Sequence, residues 1–242
     1  MADRTVMYEV HGTSQEEINL LMALLEIACF NPDSAVIADE AGADRIELCD
    51  NADVGGTTPP SSWLTTLRNK VKIPIYVMVR PRGGDFVYSN EECQEMKEAI
   101  SNLKPFADGF VFGILKHDRT VDVARTSELV KLAAPLPCTF HRAFDETTDL
   151  FQALEDVVGC NIRTILASGG VSSAVENCDV LAQLVKQADG RVIVMPGGGV
   201  RSTNIEQLKL KTNALVFHSS ALIAARGIAD VAEIRQMKKI LQ

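Results

Sequence analysis

Val77-Met78-Val79-Arg80-Pro81-Arg82-Gly83-Gly84-Asp85-Phe86 decides how the chain is read. Apolar residues run from Ile73 to Val79 and include the Val and Ile that favour a pleated backbone, which predicts a buried strand. Polarity then reverses within two residues. A strand whose carboxyl end carries charge and a glycine turn is how α/β proteins build sites. Pro81 fixes part of the local backbone. Arg80 and Arg82 on either side of it could fork around a carboxylate or phosphate. Paired with Asp85 and a neighbour, the same two residues would only hold a loop.

The pattern recurs on both sides of this stretch. Strands are predicted at 24–29, 45–49, 73–80, 109–115, 137–141, 162–167, 191–195 and 214–217. Helices are predicted between and after them, at 32–41, 61–70, 89–104, 123–134, 149–158, 172–187, 203–210 and 228–241. Several carry end signals: Pro32 at a start, Gly42 after an end, and a Ser89–Glu92 capping box. Strict alternation implies parallel strands joined by crossover helices. Eight such units in about 220 residues predict a single-domain (β/α)8 TIM-type barrel over residues 23–242. A doubly wound open sheet is the alternative, but it would usually show a phosphate loop after the first strand, and none is present. Residues 1–22 read as a polar leader, with a capping box at Ser14–Glu17 that could start a short helix.

Composition narrows the function classes. A formal charge of -8 with no basic block argues against nucleic acid and anionic lipid as partners. No apolar run is long enough to span a bilayer, and the first residues lack the apolar core of a secretory signal. Six scattered cysteines without a C-x-x-C pair predict reduced thiols in the cytoplasm.

Charged and polar side chains concentrate at the predicted strand ends. They are Glu26 on the first strand, Arg45, Glu47 and Cys49 on the second, Arg80 and Arg82 after the third, and His141 after the fifth. Ser168 and Gly169 follow the sixth strand, Gly197, Gly198 and Gly199 the seventh, and His218 and Ser219 the eighth. Alternation puts Arg45, Glu47 and Cys49 on one face, and Ile46 and Leu48 on the other. The charged face would look into the barrel, as an ion-paired plug or as a site. Glu26, Glu47, Arg80, His141 and His218 are the candidate catalytic residues. Arg82, Ser168, Gly169, the three glycines and Ser219 are candidate anion donors, because phosphate sites after strands seven and eight are common in this fold. Cys93, Cys138, Cys160 and Cys178 read as small buried hydrophobes, and His11 and His117 as solvent-facing.

Five phrases together resemble the CutC family of copper-homeostasis proteins. They are Ala41-Gly42-Ala43-Asp44-Arg45-Ile46-Glu47-Leu48-Cys49, Arg80-Pro81-Arg82-Gly83-Gly84-Asp85-Phe86, Thr139-Phe140-His141-Arg142-Ala143-Phe144-Asp145, Met195-Pro196-Gly197-Gly198-Gly199-Val200 and Phe217-His218-Ser219-Ser220. The resemblance spans about residues 24–222. It implies a cytoplasmic TIM-type barrel with a link to copper tolerance or Cu(I) binding, and no agreed reaction. Family members tend to carry a first-strand cysteine two residues after the glutamate, paired with the cysteine of the Glu-Leu-Cys phrase. Here Glu26-Ile27-Ala28-Cys29 puts alanine at that position and cysteine one residue later. Alternation sends Cys29 toward the helices, unless the strand ends at Ala28 and the chain bends.

Two function classes follow. In the first, the chain binds copper as Cu(I) through Cys49, completed by Cys29 or a histidine. In the second, it is a lyase, isomerase or aldolase-type enzyme acting on a small anionic or phosphorylated metabolite. Arg80 and Arg82 would then clamp the anion, and Glu26, Glu47 or His141 would move a proton. No lysine occupies a mid-strand interior position, which weighs against Schiff-base aldolases. Assembly with further copies of the chain is left open.

Overall fold

The computed structural model describes residues 22–223 and 227–242. The Ser14–Glu17 capping box and His11 lie outside the described residues.

Eight parallel strands alternate with eight helices among the described residues. In order they are β1 (Leu24–Cys29), α1 (Pro32–Ala41), β2 (Arg45–Leu48), α2 (Ser61–Leu67), β3 (Ile75–Met78), α3 (Asn90–Leu103), β4 (Gly109–Phe112), α4 (Val123–Ala133), β5 (Cys138–Phe140), α5 (Leu150–Gly159), β6 (Thr164–Ala167), α6 (Cys178–Ala188), β7 (Ile193–Pro196), α7 (Ile205–Thr212), β8 (Val216–Ser219) and α8 (Val231–Leu241). The ladder runs β7-β6-β5-β4-β3-β2-β1-β8. Met195 of β7 and Val216 of β8 share one interior cluster, so the sheet curls into a nearly closed TIM-type barrel.

Local chemistry sets the helix ends. Asn31 accepts from the Ser34 amide at 2.8 Å, Pro32 opens α1, and Gly42 ends it in the left-handed region at φ 94°. Ser89 and Glu92 make both bonds of the capping box ahead of α3. Asp122, Asp149 and Asp230 cap α4, α5 and α8.

Several boundaries differ from the expectation. The ladder of β3 stops at Met78, because the Arg80 amide turns aside to Thr58 Oγ1 at 2.9 Å. Helix α6 starts at Cys178 rather than Ser172. The intervening turn is held by Ser173 and Glu176, each amide bonding the other residue's side chain. Short 3-10 turns, Ala52–Val54 and Arg142–Glu146, follow β2 and β5.

The strands divide their side chains by parity. Leu25, Ile27, Ile46, Leu48, Phe110 and Phe217 point outward and pack with the helix stripes into one core. Fully burying a side chain of this size is worth about 1.5–3 kcal/mol. Inside the barrel, Leu24, Leu166, Ile193, Met195 and Val216 form one apolar cluster, and Cys49, Tyr76, Met78 and Val111 with Phe30 another. A slip of one residue in β1 would exchange the two sets and put Glu26 among the helices. Among the described residues no helix is long and apolar enough to cross a membrane.

Candidate functional site at the barrel mouth

Register assembles the interior charges. Glu26 of β1 stands beside Arg45 of β2 on one side and His218 of β8 on the other, and Ala28 stands beside Glu47. One carboxylate oxygen of Glu26 accepts from Arg45 Nε, and the other meets His218 Nδ1 at 2.7 Å. Burial opposes the charge of Glu26, but Arg45 and His218 outweigh it and hold the carboxyl down at about 2. The Arg45 guanidinium also lies 4.2 Å from the Tyr76 ring centre.

Glu47 sits differently. It is 3% exposed, its Oε2 lies 3.5 Å from His218 Nε2, and its Oε1 has no partner. Burial pushes its carboxyl up to about 7, with His218 opposing. Burial likewise works against a charged His218, yet Glu47 and Glu26 raise it above the ordinary imidazole range. The result is one carboxylate held ionised and one that titrates near neutrality.

Glu47 and His218 open into a cleft of about 550 Å³ that is also lined by Met78, Arg80, His141 and Arg201. His141 accepts from the Ala143 amide through Nδ1 at 3.3 Å, and its Nε2 has no partner. Burial first, then the charge of Arg80, depress it to about 3, so the ring is neutral. Gly113 makes room for it, since a side chain there would begin 2.6 Å from Nδ1.

The two arginines of the opening stretch part company. Arg80 is buried and donates to the carbonyls of Val54, Gly56 and Gly84 at 2.7, 3.0 and 2.9 Å. It pins two rim loops, and only its Nε, unpartnered, is left for a ligand. Arg82 is not on the cleft wall. It pairs with Glu92 at 2.5 Å and Asp85 at 3.0 Å and bonds the Val87 carbonyl, so the expected two-arginine clamp does not form.

The expected anion donors after β6 are also engaged. The amides of Ser168, Gly169 and Gly170 point at Asp145 Oδ1, at 2.8, 3.1 and 3.3 Å. The protein's own carboxylate fills this cradle, with Arg142 bonded to it at 2.8 Å. After β7, Gly197 allows close packing, since a side chain there would run into Leu166 Cδ1. Gly198 and Gly199 take left-handed conformations at φ 91° and 82° and line the cleft. Further along, the Ser202 amide and hydroxyl are taken by Glu233, both at 2.7 Å. Ser219 Oγ donates to the Val200 carbonyl at 2.7 Å and receives Arg201 Nη1 at 3.2 Å. Arg201 was absent from the sequence reading. Its signal was its place two residues past the triple glycine.

The cysteines are split by the sheet. The Cys49 amide bonds the Cys29 carbonyl at 2.9 Å, but the two thiols leave on opposite faces. Cys29 packs in the helix-side core with its thiol on the Ile27 carbonyl, while Cys49 joins Tyr76 and Met78 inside the barrel. Burial, then Glu47, raises both thiols well above the ordinary range. All six cysteines are free and buried. No bend swings Cys29 inward, so the two-thiol pairing is not formed.

The CutC family model matches residues 23–223. The chain is 44% identical over 199 residues to the human protein named copper homeostasis protein cutC homolog, covering 82% of this chain and 73% of that one. It is 45% identical over 199 residues to a CutC family protein of Chromobacterium violaceum, covering 82% and 81%. The crystal structure of a CutC protein from Streptococcus agalactiae superposes with a TM-score of 0.78 at 33% identity, covering 82% of this chain and 99% of that one. Phosphoribosylanthranilate isomerase from Pyrococcus furiosus shares the fold alone, at a TM-score of 0.62 and 12% identity over 90% and 98% of the two chains. With the barrel, the five sequence phrases and these relatives in agreement, the chain belongs to the CutC family.

Proposed function

We propose that the chain serves in copper homeostasis, as the naming of its human and mouse relatives suggests, that it does so in the cytoplasm, and that it takes Cu(I) through Cys49 with Met78 beside it. The supporting observation is that both sulfur side chains reach one spot under the rim. A side chain begun at Gly56 would meet Cys49 Sγ at 3.3 Å and Met78 Cε at 3.6 Å. Cu(I) prefers soft thiolate and thioether ligands, and Met78 supplies a second soft atom where Cys29 does not. Anaerobic Cu(I) titration against a competing chelator tests this. Cys49→Ala should weaken binding at least tenfold, Met78→Leu should weaken it less, and Cys29→Ala should leave it unchanged. Binding that survives Cys49→Ala and disappears in Cys29→Ala defeats the assignment.

A second reading is favoured by a separate observation. Three buried polar atoms without partners, Glu47 Oε1, Arg80 Nε and His141 Nε2, belong to residues lining the one cleft. Unsatisfied groups of this kind are rare in folded proteins and ask for a ligand. Arg80 and neutral His141 would each donate to an oxygen of a small anionic or phosphorylated metabolite. Glu47, titrating near neutrality, would take and return a proton, as a lyase or isomerase requires. No lysine lines the cleft. A thermal-shift panel of carboxylated and phosphorylated metabolites is the test. A rise that disappears in His141→Gln supports the reading, and a flat panel removes it.

A further inference from the structure

The two carboxylates and the histidine of the interior row have a geometry that the soft-copper reading does not use. His218 Nδ1 is committed to Glu26 at 2.7 Å, which leaves Nε2 as the nitrogen turned toward Glu47. Nε2 and Glu47 Oε2 are 3.5 Å apart. Two ligands bound at about 2.1 Å and a tetrahedral angle stand about 3.4 Å apart. Ligand atoms from Glu26, Glu47 and His218 all lie within 4.8 Å of one another. Glu47 Oε1 is buried and unpartnered, whereas an ion pair with a merely structural role would be expected to satisfy both oxygens.

We propose that His218 Nε2 and Glu47 form a binding site for a divalent transition-metal ion, open to the cleft, in which Glu26 orients the imidazole. Metal-bound histidines usually donate their other ring N–H to a carboxylate, which fixes the tautomer and strengthens the ligand. Glu26 stands in that position, and Arg45 keeps it ionised from the far side. His218 and Glu47 reach the cleft wall while Glu26 does not, so the remaining coordination positions face solvent or a bound small molecule. One imidazole and one carboxylate suit Zn(II) or Cu(II) rather than Cu(I), which separates this site chemically from Cys49 and Met78.

The test uses the full chain and the metal ions alone. Calorimetric titration with Zn(II) should give one equivalent. Cu(II) added to protein labelled with nitrogen-15 histidine should give an electron paramagnetic resonance spectrum coupled to a single imidazole nitrogen. His218→Gln should abolish that coupling. Glu47→Gln should weaken Zn(II) at least tenfold. Glu26→Gln should weaken it about 10–100-fold with one equivalent retained. Cys49→Ala should lose Cu(I) binding yet keep one Zn(II) equivalent and the single-imidazole coupling, so failure of the Cu(I) reading and failure of this one are distinguishable. The wild-type spectrum is decisive even if a variant fails to fold. No histidine coupling in it, or the same coupling in folded His218→Gln, overturns the proposal.

Discussion

Asp145 and Ser168 are locked together by three hydrogen bonds. The Ser168 amide lies 2.8 Å from Oδ1 and 3.0 Å from Oδ2, and its hydroxyl lies 2.9 Å from Oδ2. The amides of Gly169 and Gly170 add to the same carboxylate, so one side chain after β5 organises the loop after β6. Asp145→Ala leaves several buried donors without an acceptor. Such a change is expected to cost about 3–5 kcal/mol, and Asp145→Asn, which keeps one oxygen, less. Urea midpoints of the two variants check this, and a loss below about 1 kcal/mol for the alanine would show that water replaces the carboxylate.

The two arginines around Pro81 should separate in stability as they do in space. Arg80→Lys keeps the charge but gathers its donors on one atom, where the guanidinium uses Nη1 for one loop and Nη2 for the other, and should lose about 2 kcal/mol. Arg82→Ala removes exposed ion pairs and should lose less than about 1 kcal/mol. Limited proteolysis adds a local readout, since the 52–56 loop held by Arg80 should be cut faster in Arg80→Lys and not in Arg82→Ala.

Parity made the barrel legible. Arg45, Glu47 and Cys49 alternate with Ile46 and Leu48, and the same alternation correctly sent Cys29 to the helix side. Glycine-rich strand ends were legible as turns but not as anion sites, because a sequence does not say what already fills a cradle. Ser168 and Gly169 look free until Asp145, more than twenty residues earlier, folds into their amides. For Arg82 the clamp and the loop-holding pairing were both open, and the pairing holds, with Asp85 three residues on and Glu92 a loop and a helix turn away. Met78 was hidden because a methionine in a strand reads as core.

Two glycines give opposite expectations. An added side chain at Gly109 would begin 2.7 Å from the Tyr76 ring, which already lies against Arg45. Gly109→Ala should therefore cost about 1–3 kcal/mol through overpacking. Gly159, in the last turn of α5, has nothing within 4 Å of such a side chain. Gly159→Ala should raise stability by about 0.5–1 kcal/mol, largely by restricting the unfolded chain. Thermal melts of the pair test the sign, and a stabilised Gly109→Ala would mean that the Tyr76 ring moves freely.

His141 gives the fold a dependence on acidity whose sign is fixed by its burial. Its folded value is pushed down to about 3 from an ordinary 6.5, first by burial and then by Arg80. Above the ordinary value both the folded and unfolded chains carry the ring neutral, and its contribution to stability is full. As pH falls below that value the unfolded chain takes up a proton that the folded chain refuses. Stability is then lost at up to about 1.4 kcal/mol per pH unit, down to the folded value. Between pH 7 and pH 5 the loss from this ring alone comes to about 2 kcal/mol. His141→Gln removes the titration, so its stability should fall less than that of the wild type over the same interval. Denaturant curves at the two pH values measure the difference. Parallel behaviour of the two proteins would mean that the ring is protonated in the fold, and that its Nδ1 does not accept from Ala143.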